Sequence, residues 1–240
     1  MKMEMKQKQL LKKYSFYFNI LKGSTFKVEP FFVLGILVML LNGVTSCSEN
    51  KSPNANPQVH KKKIQTKHLS LEEFERTIKN GDVILKMGHG PVSKIAAKSL
   101  KENIPISHCG VVCKNDSSFH IIHSLSNMYG KKDGVQEISV QDFHNDTRKD
   151  GMFILRYKNQ NKVNKISQVA IKFKDENILF DYEFNLQDPS KMYCSEFVAE
   201  TMKYSLGKVY FGTKMVDGKE LYTFNELLFS EDFTIVNLKH

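Results

Sequence analysis

Between Gly81 and Leu125 lie three short runs of apolar and β-branched residues, DVILKM, SHCGVVCK and SFHIIHSL, the last two parted only by the turn-like KNDS. Runs of this length bounded by turn residues read as strands, and so short a connection makes the last pair a hairpin. A chain with this nucleus is committed to an antiparallel sheet, and a sheet must bury at least one face. Alternation along SHCGVVCK puts Cys109, Val111 and Cys113 on one face and His108, Gly110 and Val112 on the other.

The elements that cover the sheet are legible as well. SLEEFERTIKNG offers a capping box, with Ser70 as N-cap and Glu73 three residues on, and predicts a helix that stops at Asn80-Gly81. HGPVSKIAAKSLKE has Pro91 near a helix start and Val92, Ile95, Ala96 and Leu100 at the spacing of a short amphipathic helix. In KVNKISQVAIKFK, Lys162 to Lys174, the residues Val163, Ile166, Val169, Ala170 and Phe173 share one helical face. A further helix begins at MYCSEFVAETM, Met192 to Met202, and EIS, MFILRYK and TIVNL are additional strand candidates. There is no internal repeat. The order is helix, strand, helix, several strands, helix, the Cys194 helix and a last strand, which predicts an α+β domain rather than a doubly wound sheet.

Upstream the chain has a different character. A Lys-rich start leads to the apolar run FFVLGILVMLL, Phe31 to Leu41, which is too short for a bilayer span of roughly 20 residues and reads as the h-region of a secretory signal. VTSC, Val44 to Cys47, follows directly and resembles a bacterial lipobox, in which the cysteine receives a diacylglyceryl group. The expected organisation is a lipoprotein signal peptide over 1–46, a lipid-anchored flexible linker over 47–68 and one folded domain over 69–240. The linker SENKSPNANPQVHKKKIQTKH is polar and aperiodic. The expected location is the bacterial cell envelope, facing the periplasm or exterior and held to the membrane through lipid on Cys47. Residues 1–46 contain seven Lys and two Glu, so +5 of the formal +9 leaves with them and about +4 stays. No basic patch interleaved with aromatics remains, so nucleic acid is not an expected partner. The oligomeric state is not legible.

With Cys47 assigned to lipid, Cys109, Cys113 and Cys194 are left, an odd number. Cys109 and Cys113 are four apart in a strand, about 13 Å at ~3.3 Å per residue, too far to bridge. Cys-x3-Cys without a second close pair does not make a zinc site, so neither a metal nor another cofactor is expected. Cys194 opens a helix, where unpaired N–H groups and the macrodipole favour a thiolate. A papain-like reaction then needs a histidine to take the thiol proton and return it to the leaving group. His60 and His68 flank the tether and His240 is terminal. His108 is the better candidate, because Gly110 two residues on leaves space beside the imidazole. A third polar residue should orient that imidazole from the next strand; His120 and His123 point to opposite faces there, and the residues alone leave the choice open.

GDVIL, SHCGVV, FHIIHSL and FDYEFNLQDPSKMYCSEFV together, in order and spacing, resemble the YiiX/YebB-like branch of the NlpC/p60 superfamily, over most of Ser70 to Leu238. These are papain-fold cysteine hydrolases with circularly permuted sequences. The resemblance implies a permuted papain-like fold with an antiparallel sheet packed against helices, Cys194 as nucleophile, His108 as general base and His123 as the third residue. Many relatives carry a glutamate at that third position, whereas the related lecithin retinol acyltransferase-like group uses histidine. It implies an oxyanion hole that includes the Cys194 N–H, with Tyr193, Asp82 and Asp181 as candidate substrate-binding residues; Asp82 and Tyr193 are read first as structural, Asp82 bridging the strand entry to a neighbouring N–H and Tyr193 walling the site, while Asp181 belongs to a loop that shapes the cleft. The expected activity is cleavage of an amide bond, in peptidoglycan peptides, through a Cys194 thioester. The alternatives are an acyl-lipid or acyl-ester hydrolase or acyltransferase with the same residues, and an inactive binding lipoprotein.

Overall fold

The computed structural model describes residues 64–102, 104–116, 118–128 and 132–239. The expected signal segment, Cys47 and all but the last residues of the expected linker lie outside the described residues. Among those described, no helix is long and apolar enough to cross a membrane.

The chain runs α1 (Leu71–Thr77), β1 (Val83–Gly88), α2 (Pro91–Leu100), β2 (His108–Asn115), β3 (Ser118–Leu125), β4 (Gly134–Ser139), α3 (Val140–Asn145) and β5 (Thr147–Tyr157). It continues through α4 (Val163–Asp175), α5 (Cys194–Leu206), β6 (Gly212–Val216), β7 (Lys219–Thr223), α6 (Asn225–Leu228) and β8 (Phe233–Ile235). Six strands form one sheet in the order β4-β3-β2-β1-β5-β8, antiparallel at every junction, and β6 pairs with β7 apart from it. The hairpin read from SHCGVVCK and SFHIIHSL is β2 and β3.

The expected α+β architecture is present, with helices on both faces of the sheet. On one side Val83, Leu85, Cys109, Val111 and Ile122 pack against α4 and α5 through Phe173, Phe197 and Val198. On the other, Ile84, Val112, Ile121 and Ile154 pack against Phe74 of α1 and Phe143 of α3. Double coverage is why DVILKM reads as a continuous apolar run, since every residue of β1 is buried.

Three details differ from the sequence reading. Helix α1 has the expected capping box but ends at Thr77, because Ile78 turns extended and sinks into the second core. Helix α3 and the β6–β7 hairpin were not anticipated. The signal for α3 was present: Ser139 accepts a hydrogen bond from Asp142 N at 3.0 Å, the S-x-x-D pattern of a helix start. The fold also takes up the end of the expected linker, where Thr66 is buried, bridges Leu238, and is followed by a bond from Lys67 N to Asn237 O at 2.8 Å.

Asp82 anchors the entry to the central strand. Its carboxylate receives Arg156 Nε at 2.9 Å and Nη2 at 2.7 Å, together with Lys79 N at 2.8 Å. Arg156 also donates to Thr77 O at 2.7 Å, so the pair ties α1, β1 and β5 together. Burial nonetheless pushes the Asp82 carboxyl above its ordinary range, opposed by Arg156. Replacing one partner strands a half-buried charge, so Asp82→Ala is expected to lower stability by about 3 kcal/mol in urea unfolding. Turnover per folded molecule should be unchanged, since Asp82 does not touch the cavity described next.

Candidate active site

The site is built at the open end of β2 and β3, where adjacent residues face opposite ways. Cys109 Sγ donates to Cys194 O at 3.1 Å. Ser124 Oγ donates to Met192 O. Both side chains lie on the α5 side of the sheet and fasten the first turn of that helix to it. Their neighbours, His108 and His123, turn the other way, as alternation requires. There His108 Nε2 and His123 Nδ1 are 2.7 Å apart, with the ring centroids 5.0 Å apart and the planes at 83°. Of the two histidines of β3, His123 is the one that meets His108. His120 lies on the α5 side instead, 3.6 Å from Glu137 Oε2.

Gly110 lets β3 pack closely beside the imidazole pair. A Cβ there would stand 2.7 Å from Ile121 Cγ2, 3.0 Å from Ile122 O and 3.3 Å from His123 Cβ, so a side chain would push first on Ile121 and then on the strand that carries His123. Ser107 fixes the start of β2 by accepting Gly88 N at 3.0 Å. Below the pair lies the Phe143 ring, 5.9 Å from the His108 ring and 6.1 Å from that of His123. Over Phe143 sits the buried ammonium of Lys86, 4.1 Å from the ring centroid, 2.8 Å from Asp146 Oδ2 and 3.2 Å from Phe143 O. Lys86 pairs in register with His108 and so faces the same way. The sequence reading missed it because a lone lysine in an apolar strand carries no motif.

The electrostatics favour a neutral imidazole pair. Burial, then the neighbouring His123, then Lys86 hold His108 well below the usual histidine range. Burial and Lys86 hold His123 down to about 3. The Cys194 thiol is shifted below its ordinary range, first by the Cys109 thiol, with the backbone N–H groups of Ser195, Cys109 and Cys194 adding to this and burial opposing it. Cys109 itself is pushed up by burial and by Cys194, so it stays a thiol donor beside the nucleophile candidate. Glu196, in the same helical turn, accepts Tyr193 N at 3.3 Å, and burial pushes its carboxyl up to about 8. Burial thus disfavours a second anion at the helix N-terminus.

Cys194, His108 and His123 all line one cavity of about 520 Å³. Cys194 Sγ makes no hydrogen bond to His108 among the described residues, and what joins the two is the cavity that both line. Tyr193 lines it too, with its OH accepting Tyr222 N at 2.9 Å and its ring 5.1 Å from that of Phe184. Asp82 and Asp181, expected near the cleft, do not line it. Asp82 is bound to Arg156, and buried Asp181 accepts Glu183 N at 2.8 Å and also Asn185 N. His89 is exposed and outside the cavity. Cys109, Cys113 and Cys194 are free thiols.

The sequence pattern of the permuted papain-like amidase enzymes, the YaeF/YiiX C92 family, matches residues 77–232. No curated protein sequence matches the chain. Among solved structures, the metalloprotein yiiX from Escherichia coli O157:H7 superposes with a TM-score of 0.54 at 14% identity, covering 68% of this chain and 98% of that one. That likeness extends to the fold. Among the described residues of this chain, no group of three or more His, Cys, Asp or Glu is arranged to hold a metal ion. A pattern spanning more than half of the sequence, on a sheet and helices of the matching fold, assigns the chain to a family of cysteine hydrolases: it belongs to the permuted papain-like amidases.

Proposed function

We propose that the chain is a cysteine amidase in which Cys194 attacks an amide carbonyl, His108 moves the proton and His123 holds the His108 ring. One observation carries this reading: the 2.7 Å contact of His108 Nε2 with His123 Nδ1, which leaves His108 Nδ1 for the cavity that Cys194 also lines. In acylation His108 Nδ1 takes the thiol proton, Sγ bonds to the carbonyl carbon, and the Cys194 N–H at the helix N-terminus donates to the oxyanion. The C–N bond then breaks and the amine leaves with that proton. Water, deprotonated by His108, cleaves the thioester, releases the acid and restores the thiol.

The proposed location is the cell envelope, through lipid on Cys47, and its support is the run FFVLGILVMLL followed by VTSC. Cell-wall peptides fit that address, and so do acyl lipids.

Cys194→Ala is expected to lower kcat on an amide substrate by more than about 10⁴-fold while leaving the circular dichroism spectrum unchanged. Full turnover in that variant would overturn the mechanism. His123→Ala should cost roughly 10²-fold or more in kcat, because an unheld imidazole spends less time in the productive orientation. The effect of Lys86 has a definite sign. Its ammonium disfavours the protonated imidazole, so Lys86→Met should raise the pKa of His108 and move the acid limb of kcat/KM to higher pH. Asp146, left alone by that change, is largely exposed and stays hydrated. A pH profile that does not move would remove Lys86 from the electrostatics of the site.

A further inference from the structure

Three free thiols lie among the described residues, and two of them meet. Cys109 Sγ is 3.1 Å from the Cys194 carbonyl oxygen and is also within hydrogen-bond reach of the Cys194 side chain. The backbone N–H of Cys109 reaches that side chain too, so one residue of β2 meets Cys194 with two groups. Cys113, four residues on in the same strand, turns to the backbone instead, with Ser167 O at 3.8 Å and Val111 O at 3.9 Å.

The two members of the pair differ in a way that gives each a distinct part in thiol oxidation. Cys194 lines the open cavity and is half-buried, and its thiol is shifted toward the thiolate, the form that oxidants attack. Cys109 is fully buried in the sheet face against α5, and burial keeps it a thiol, so it is not attacked first. Part of its upward shift comes from the charge on Cys194, which disappears once that sulfur is a neutral sulfenic acid. A shielded thiol in contact with the residue that oxidises first is placed to resolve it.

We propose that Cys109 and Cys194 form a reversible oxidation site, in which hydrogen peroxide oxidises Cys194 and Cys109 captures it as a disulfide. The inference concerns the regulation of the proposed site and rests on Cys194 being the nucleophile. The Cys194 thiolate attacks one oxygen of the peroxide, the O–O bond breaks, and hydroxide leaves to become water with a proton from solvent. The sulfur of Cys109 then bonds to that of Cys194, the sulfenic S–O bond breaks, and the hydroxyl departs as water with the Cys109 proton. A dithiol returns both thiols. The disulfide blocks acylation, removes the donor that holds Cys194 O, and spares Cys194 the irreversible step to sulfinic acid.

The test exposes the full chain to hydrogen peroxide and maps its cysteines by peptide mass spectrometry before and after dithiothreitol. A Cys109–Cys194 cross-link should form, with hydrolysis of a chromogenic amide falling by more than about tenfold and returning on reduction. Cys109→Ser keeps a donor for the Cys194 carbonyl. Under the same excess of peroxide it should give no cross-link, carry Cys194 on to sulfinic acid and stay inactive after dithiothreitol. Cys113→Ser should form the cross-link as the unaltered chain does. The mapping of the unaltered chain decides the matter even where a variant fails to fold. Oxidation that stops on Cys194 without a cross-link, a cross-link through Cys113 or Cys47 in its place, or no oxidation at all overturns the pair and leaves the nucleophile assignment standing. Full turnover by the cross-linked chain overturns that assignment, and the regulatory reading with it.

Discussion

Everything at the site depends on two hydrogen bonds from the sheet to the backbone at the start of α5. Cys109 holds the carbonyl of Cys194 and Ser124 holds that of Met192. Both donors are buried in the face that packs against α5, where an unpaired carbonyl would cost free energy, so the helix start is fixed in position as well as in direction. Because a strand alternates its side chains, the next residue on each strand is presented to the opposite face. The helix that opens with Cys194 and the imidazole pair are thus positioned by consecutive residues of the same two strands.

That arrangement explains what the sequence revealed and what it hid. The β2–β3 hairpin, the alternation that separates His108 from Cys109, and the helix start at Cys194 follow from period and turn chemistry, so they were legible. The partner of His108 was not legible from residues alone, because two histidines three positions apart on one strand differ only in face, and the face depends on register against β2. Lys86 and Ser124 were missed for a related reason: each acts through a contact between elements distant in sequence. Asp82 carried two readings. Its motif marked it for the cleft and its place at the strand entry suggested a bridge to a neighbouring N–H; the structure shows the bridge, to Lys79 N, and adds Arg156 in the joint between α1, β1 and β5. Helix α3 was missed although Ser139 and Asp142 announce its start, since its six residues are too few for a periodic signal to stand out.

The charges around His108 disfavour its protonated form. A carboxylate in the third position would stabilise an imidazolium. Here that position is a second histidine, with a buried ammonium behind it, and both disfavour a positive ring. The stabilisation of a thiolate therefore falls to the α5 side, to the N–H groups of the helix start, and not to a standing thiolate–imidazolium pair. Such surroundings hold both imidazoles toward the neutral form.

The antiparallel bridge between Thr66 and Leu238, at the margin of the sheet beyond β8, brings the two ends of the described chain together. A short linker could join them there and the chain could be opened at a surface turn elsewhere, with the site residues keeping their places. For a fold whose relatives are known by rearranged connectivity, adjacent ends are the geometric condition that makes such rewiring tolerable: the order of elements along the chain becomes a matter of history, while the sheet register that sets His108 against His123 does not.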